Sequence, residues 1–208
     1  MDKIITILEK LKVIPVISIE DPDKALPLAD ALIEGGLPLA EITFRTDAAA
    51  EVIGILAKKR PEVILSAGTI LTIDNMKKAR DCGATFGVAP GLDCKVVEEA
   101  LKINFPFIPG VFTSTDIVMG LNYGLKVLKY FPAEPAGGVK LLQSIIAPYA
   151  HTGIKFSPTG GIGKHNYQNY LDIPEVISVG GSWVASKNDI AQGNWNNIKN
   201  NCLEISKS

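Results

Sequence analysis

Residues 38–46 read P-L-A-E-I-T-F-R-T, a short run in which polar and apolar side chains alternate as they do in a half-buried β-strand. The alternation places Glu41, Thr43 and Arg45 on one face of such a strand and leaves the opposite face apolar. Burying a carboxylate and a guanidinium is unfavourable unless each is paired. The run therefore predicts a strand that carries either a structural Glu–Arg pair or a polar reactive site.

Short runs rich in β-branched residues recur along the whole chain. They begin about every 23 residues, a spacing that suits a strand, a loop and a helix. Eight such units predict an α/β fold, a single-domain (β/α)8 TIM barrel spanning residues 1–208, with an extra N-terminal helix over residues 2–12. The strands are predicted to begin near Val13, Pro38, Val63, Thr85, Pro106, Lys126, Ile154 and Val176.

The segments between the predicted strands have the pattern of helices. An open doubly wound sheet is the alternative fold, but it requires a glycine-rich turn after the first strand. Residues 18–22 form that turn here and contain no glycine, which favours the barrel. The predicted helices include Asp23–Glu34, which ends at Gly35-Gly36, Asp74–Asp81, which ends before Gly83, and a closing helix over Asp189–Ser206.

The composition argues against several functional classes. The 208 residues include 21 Lys and Arg against 22 Asp and Glu, so no bulk positive charge is available to attract nucleic acid. No apolar run approaches the ~20 residues of a membrane helix, and the N-terminal segment lacks a secretory-signal pattern. Cys82, Cys94 and Cys202 form no C-x-x-C motif. We therefore expect a cytoplasmic protein with a small-molecule partner and without nucleic-acid or membrane partners.

One lysine stands near the C-terminal end of a predicted strand. Lys129 follows L-K-V-L at positions 125–128, and catalysis in a TIM barrel occurs at that end of the strands. Burial and a nearby guanidinium both favour a neutral amine, which is the nucleophilic form. A structural pair with Glu41 is the alternative reading. Lys126 lies at the opposite strand end and Lys155 lies early on its strand, which makes both weaker candidates.

Two glycine pairs follow the last two predicted strands. Gly160-Gly161 comes after the seventh, and Gly180-Gly181 precedes Ser182 after the eighth. Adjacent glycines let backbone N–H groups approach an anion, and these two loops are the common phosphate site of this barrel. The pairs therefore predict phosphate binding. His151 and His165 have no carboxylate cluster around them, so we expect no metal site.

Seven motifs, spread over essentially the whole chain, together resemble one enzyme family. They are Glu41-Ile-Thr-Phe-Arg45-Thr, Ala67-Gly-Thr69, Pro90-Gly-Leu, Lys129-Tyr-Phe-Pro-Ala-Glu134, Gly-Gly-Val-Lys140, Pro158-Thr-Gly-Gly-Ile162 and Gly180-Gly-Ser-Trp183. The chain resembles the 2-keto-3-deoxy-6-phosphogluconate aldolases, a family that includes 4-hydroxy-2-oxoglutarate aldolases. The motif around Lys129 is the most specific of the seven.

The resemblance implies a class I aldolase of the Entner–Doudoroff pathway that needs no metal or cofactor and is a homotrimer. It would cleave 2-keto-3-deoxy-6-phosphogluconate to pyruvate and glyceraldehyde 3-phosphate, and 4-hydroxy-2-oxoglutarate to pyruvate and glyoxylate. By resemblance Lys129 is the Schiff-base lysine and Glu41 is the proton shuttle. The implied substrate-binding residues are Arg45, Thr69 and Thr159 at the pyruvoyl end, Gly160, Gly161, Gly181 and Ser182 at the phosphate, and also Pro90 and Phe131.

Three other functions stay open at the level of sequence. The preferred substrate is the gluconate-derived epimer, the galactonate-derived epimer or unphosphorylated 4-hydroxy-2-oxoglutarate. A phosphosugar isomerase or synthase would use Glu41 as a base and Lys129 as an electrostatic clamp only. A non-catalytic binder of phosphorylated ligands would use neither. Two residues depart from the family pattern, namely Tyr130 in place of Phe and Phe44 in place of an aliphatic residue.

Overall fold

Strands and helices alternate in the computed structural model, which describes residues 1–207. Each predicted strand begins within three residues of an observed one. The observed strands are β1 (Val13–Ile17), β2 (Leu39–Thr43), β3 (Ile64–Gly68), β4 (Phe86–Val88), β5 (Phe107–Ile108), β6 (Gly110–Val111), β7 (Val127–Tyr130), β8 (Lys155–Phe156) and β9 (Val179–Gly181).

Helices follow most of the strands, and two short 3₁₀ segments occur at Pro22–Lys24 and Ala147–Thr152. The helices are α1 (Asp2–Leu11), α2 (Ala25–Glu34), α3 (Ala49–Lys59), α4 (Ile73–Cys82), α5 (Cys94–Lys102), α6 (Ser114–Asn122), α7 (Gly138–Ile146), α8 (Tyr167–Leu171), α9 (Lys187–Gln192) and α10 (Trp195–Ser206). The α/β class predicted from the sequence is confirmed.

Two of the predicted strands differ in detail from the observed ones. The fifth is divided into β5 and β6 at Pro109, a residue that has no N–H to donate to a strand ladder. The eighth begins at Val179 rather than Val176, and Val176 makes an isolated bridge with Phe156. The local alternation of strand and helix survives both changes.

The predicted closing helix over Asp189–Ser206 is wrong, because the chain forms two helices there. α9 ends at Gly193, whose φ of 71° lies in the left-handed region that favours glycine. The Ser186 hydroxyl accepts a hydrogen bond from the N–H of Asp189 and so caps the start of α9. Gly83 ends α4 in the same left-handed conformation, at the helix end predicted from the sequence.

The chain divides into two compact units. The second unit comprises Ile14–Gly87 and the chain from Ser182 onward. Its strands are parallel and lie in the order β1, β2, β3, β4, with Glu41 opposite both Val16 and Ser66. α2 packs against α3 and α10, and the core between them is aliphatic.

The first unit comprises Met1–Val13 and Val88–Gly181. Its parallel strands β6, β7 and β8 are neighbours, with Gly110 opposite Lys129 and Val127 opposite Lys155. Among residues 1–207, no helix is both long and apolar enough to span a bilayer. The same residues contain no group of three or more His, Cys, Asp or Glu side chains arranged to hold a metal ion.

Candidate active site

Glu41 lies in β2 of the second unit and is only 2% exposed. Every residue of β2 is buried, so the carboxylate projects from a strand that has no solvent-facing side. Thr43, two residues along, donates its hydroxyl hydrogen to the carbonyl oxygen of Ile17 at 2.9 Å. The Thr43 side chain therefore holds β2 to β1, and Glu41 is the one ionisable residue of this buried strand.

Arg45 is not a strand residue, contrary to the sequence-based prediction. β2 ends at Thr43, and the N–H of Phe44 makes one further bond of 2.8 Å to the carbonyl oxygen of Gly68. The chain then turns toward α3, which leaves Arg45 exposed in the turn. Its guanidinium follows the C-terminal end of β2 and is not on the buried strand face.

Thr69 directly follows β3 and is half-buried. Its φ of 58° lies in the left-handed region, which is rare for a β-branched residue. Such backbone strain costs about 1–3 kcal/mol and clusters at functional sites. Thr69 therefore has a conformation that local sequence preferences do not explain.

Lys129 lies in β7 of the first unit and is 6% exposed. Its backbone N–H donates to the carbonyl oxygen of Pro109 at 2.9 Å, and its Nζ lies 5.5 Å from the centre of the Phe131 ring. Pro90 packs against Gly110, the residue opposite Lys129, so closely that a β-carbon at Gly110 would clash with the Pro90 carbonyl group. The first unit thus brings Lys129 and Phe131 together and places Pro90 beside the neighbouring strand.

The first unit also brings both glycine pairs to one place. Thr159 is buried, its N–H donates to the carbonyl oxygen of Tyr130 at 2.9 Å, and it forms a bridge with Gly180. Gly160 and Gly161 have φ values of 101° and 73°, a conformation that side chains oppose. The loop following β8 is therefore tied to the end of β7 and to β9.

Ser182, which follows the second glycine pair, belongs to the second unit. It is exposed in the turn directly after Gly181, the last residue of β9. The other predicted residues of that unit, Glu41, Arg45 and Thr69, all lie in or just after β2 and β3. Glu41 is the central residue of β2, and Arg45 and Thr69 lie beyond the C-terminal ends of their strands.

Glu134 and Tyr170, to which no role is assigned from sequence, are joined in the structure. The Tyr170 hydroxyl donates to Oε1 of Glu134, and the Tyr170 ring is fully buried. Burial, followed by the bond to Glu134, raises the pKa of Tyr170. Glu134 stands within the motif around Lys129, which was the available signal, but its partner 36 residues away has no sequence signature.

Tyr130 is a second residue whose environment the sequence did not reveal. Its side chain is fully buried, and within residues 1–207 its hydroxyl has no hydrogen-bond partner. Burial raises the pKa of this phenol. Its ring stacks on Phe112 with centroids 6.2 Å apart.

The sequence matches the protein family described as KDPG and KHG aldolase over residues 4–201. The chain belongs to this family. KDPG is 2-keto-3-deoxy-6-phosphogluconate, and the members are carbon–carbon lyases. Membership therefore makes this chain an aldolase, and it favours the lyase over the isomerase and the non-catalytic binder.

Relatives of known name support the same family. The 2-dehydro-3-deoxy-phosphogluconate aldolase of Haemophilus influenzae is 44% identical over 196 residues, which cover 94% of this chain and 92% of that protein. The KDPG aldolase of Legionella pneumophila has been solved with pyruvate captured at low pH as a covalent carbinolamine intermediate. It is 36% identical, with a TM-score of 0.93 over 97% of both chains.

A third relative was solved with a phosphorylated ligand. The 2-keto-3-deoxy-6-phosphogluconate aldolase of Zymomonas mobilis ZM4, with 3-phosphoglycerate, is 37% identical to this chain. The TM-score is 0.89, and the alignment covers 99% of this chain and 96% of that one. The likeness in sequence and fold therefore extends over nearly the whole length of both proteins.

Proposed function

We propose that this chain cleaves 2-keto-3-deoxy-6-phosphogluconate to pyruvate and glyceraldehyde 3-phosphate, with Lys129 as the Schiff-base lysine. The observation that carries the proposal is the burial of Lys129, which is only 6% exposed. Its strand, β7, is followed directly by Phe131, and the last residue of β7 accepts a hydrogen bond from Thr159, next to the glycine loop. The covalent pyruvate carbinolamine of the Legionella relative supports imine chemistry in this family.

The reaction needs one amine and one proton carrier. Lys129 Nζ attacks the C2 ketone, and loss of water from the carbinolamine gives a protonated imine. The C3–C4 bond then breaks, its electron pair moves toward the imine to form an enamine, and Glu41 accepts the C4 hydroxyl proton through a water molecule. Glu41 returns a proton to the enamine carbon, and hydrolysis of the pyruvate imine frees Lys129.

The two ends of the substrate carry different charges, and we assign different residues to them. Arg45 offers a planar fork that suits the carboxylate, and Thr69 and Thr159 offer hydroxyl groups at the same pyruvoyl end. The loops that contain Gly160-Gly161 and Gly181-Ser182 are assigned to the phosphate. Pro90 and Phe131 would line the space around the reacting carbon atoms.

We also infer the finer features of the assembly from family membership. These are a closed eight-stranded barrel, a single domain over residues 1–208, a homotrimer and a cytoplasmic location. Sedimentation velocity of the purified protein tests the trimer, because a trimer of a 22.3 kDa chain sediments well apart from a monomer.

Borohydride reduction in the presence of pyruvate tests the chemistry. We expect one stable adduct, located on Lys129 by peptide mass mapping and absent from Lys129→Ala. Lys126→Ala is the matched control, because Lys126 starts the same run and its amine lies 2.7 Å from Asp2 at the surface. An adduct on Lys155 would refute the site assignment, and the lack of any adduct on the folded protein would refute the class I mechanism.

A substrate panel tests the specificity. We expect kcat/KM to be highest for 2-keto-3-deoxy-6-phosphogluconate, lower for its galactonate epimer, and lowest for 4-hydroxy-2-oxoglutarate, which has no phosphate. Pyruvate formation coupled to lactate dehydrogenase measures all three reactions. A higher kcat/KM for the epimer would replace the proposed substrate without changing the mechanism.

A further inference from the structure

Two hydrogen bonds join the loop after β7 to the segment that follows β8. The first is the hydrogen bond that the Tyr170 hydroxyl of α8 donates to Oε1 of Glu134. The second is the bond of 2.9 Å from the Glu134 N–H to the carbonyl oxygen of Gly160. Glu134 thus holds the glycine loop through its backbone and the following helix through its side chain.

The glycine loop, residues 160–163, begins at Gly160, which accepts the bond from Glu134, and precedes α8, which contains Tyr170. At its far end the N–H of Gly163 donates to Oδ1 of Asn166 at 2.7 Å. In its middle a β-carbon on Gly161 would lie 2.6 Å from Cβ of Glu134. Glu134 therefore packs directly against the loop, and α8 starts within a few residues of it.

Gly138 lies directly beside the Glu134–Tyr170 pair. A β-carbon on Gly138 would lie 3.3 Å from Oε1 of Glu134 and 3.7 Å from the Tyr170 hydroxyl oxygen. Tyr170 is fully buried, and burial together with Glu134 raises the pKa of its phenol, which keeps it a hydrogen-bond donor. A carboxylate that accepts from a buried hydroxyl is a strong and directional contact.

We propose that Glu134 and Tyr170 are positioning residues that hold the glycine loop in its anion-binding conformation and so determine selectivity for phosphorylated substrates. The inference rests on the proposed function, because it assigns the phosphate to this loop. Neither residue needs to touch the substrate. Their loss would let Gly160 and Gly161 leave the left-handed conformation that directs backbone N–H groups at an anion.

The test compares Tyr170→Phe, Glu134→Gln and Glu134→Ala with the unaltered chain. We expect KM for 2-keto-3-deoxy-6-phosphogluconate to rise about tenfold in Tyr170→Phe, and inhibition by inorganic phosphate to weaken by a similar factor. Exchange of pyruvate methyl protons in D₂O, followed by NMR, should stay within about twofold because it needs the imine and the proton carrier but no phosphate. Glu134→Gln keeps an acceptor oxygen, so its KM should rise less than that of Glu134→Ala.

Tyr123→Phe is the matched control. It removes the same kind of bond, from a tyrosine hydroxyl to Glu98 at 2.8 Å, at an exposed position. Its KM, phosphate inhibition and exchange rate should all stay unchanged. An unchanged KM in Tyr170→Phe, or an equal fall in cleavage and exchange rates, would overturn the inference. If the unaltered protein exchanges no methyl protons, the proposed function itself fails and the inference fails with it.

Discussion

The side chain of Glu41 occupies the space beside Gly68 that a β-carbon would need. A β-carbon there would lie 2.8 Å from Cγ and 2.9 Å from Cδ of Glu41, closer than such atoms approach. The sheet register brings the two together, because Glu41 is opposite Ser66 and Gly68 is two residues farther on the same strand face. Glycine at position 68 therefore determines where the carboxylate can lie.

Replacing Gly68 with alanine should displace the carboxylate without removing it. Because general acid–base catalysis contributes about 10²–10⁴-fold, we expect kcat to fall at least about 100-fold. Borohydride trapping of pyruvate on Lys129 should persist, since imine formation needs the lysine first. Steady-state kinetics and mass mapping on the same preparation measure both effects.

Gly54→Ala is the control for the alanine substitution itself. Gly54 lies within α3, and apart from its chain neighbours and the nearby backbone of its own helix no described atom lies within 4 Å of the position that its β-carbon would take. Activity should be retained, and the free energy of unfolding should rise by about 1 kcal/mol because alanine favours helix. Full activity in Gly68→Ala would contradict the assignment of Glu41 as the proton shuttle.

Tyr130→Phe should stabilise the protein. The substitution removes a buried hydroxyl that has no partner among residues 1–207 and keeps the ring that stacks on Phe112. A buried unsatisfied polar group costs about 1–3 kcal/mol, so we expect the free energy of unfolding to rise by roughly 1 kcal/mol. The urea midpoint at constant m-value measures the change, and a fall of that size would mean that the hydroxyl is satisfied in solution.

The start of α6 should make stability depend on pH in the acid range. Burial opposes ionisation of Asp116, but hydrogen bonds from the N–H groups of Phe112 and Thr113 hold the pKa of this carboxyl below its usual value of 3.8. A carboxyl whose pKa is lower in the native state than in the unfolded state stabilises the native state at any pH above the unfolded-state pKa. This stabilisation is lost as the pH falls through the native-state pKa. Asp116→Asn should therefore lower the free energy of unfolding by about 1 kcal/mol at neutral pH and by progressively less below about pH 4.

Thr113→Ala separates this effect from a general weakening of the helix. The Thr113 hydroxyl accepts from the N–H of Asp116 at 3.3 Å and does not titrate. Its loss should lower the free energy of unfolding at every pH and should depend less on pH than the loss of Asp116, because the Thr113 side chain supplies only part of the lowering of the Asp116 pKa; urea unfolding between about pH 3 and 7 measures this. Parallel pH profiles for the two variants would contradict the assignment of the titration to Asp116.

Cys202 should resist thiol reagents in the native protein. Its side chain is fully buried, and burial raises the pKa of the thiol to about 12, so the reactive thiolate is scarce near pH 8. Cys82 and Cys94 are half-buried and should label first. Mass mapping after Ellman's reagent, with and without urea, distinguishes them, and native labelling of Cys202 would show that α10 separates readily from α2.

The strand positions were predictable because hydrophobic period and turn residues are local properties. The run containing Glu41 and the run containing Lys129 both form the strands expected, and Gly83 ends its helix as expected. Arg45 was misplaced because alternation in sequence continues past Thr43, whereas the chain turns after a single further bond from Phe44. Periodicity does not reveal where a ladder of hydrogen bonds stops.

Contacts between distant residues were beyond what local patterns reveal. Tyr170 lies in a polar stretch of five helical residues, and nothing in that stretch indicates full burial against Glu134. The break between α9 and α10 was missed for a different reason, because one glycine inside a helical pattern is often tolerated. The left-handed φ of Gly193 in the structure shows that this glycine ends α9.

The left-handed backbone at Thr69 implies a trade between folding and activity. A threonine with a φ of 58° keeps a strained conformation that asparagine would adopt with less cost. If the hydroxyl serves the substrate, Thr69→Asn should melt at a higher temperature and turn over more slowly, with the two effects opposite in sign. Position 69 would then be a site where improvement of thermal stability and improvement of catalysis exclude each other.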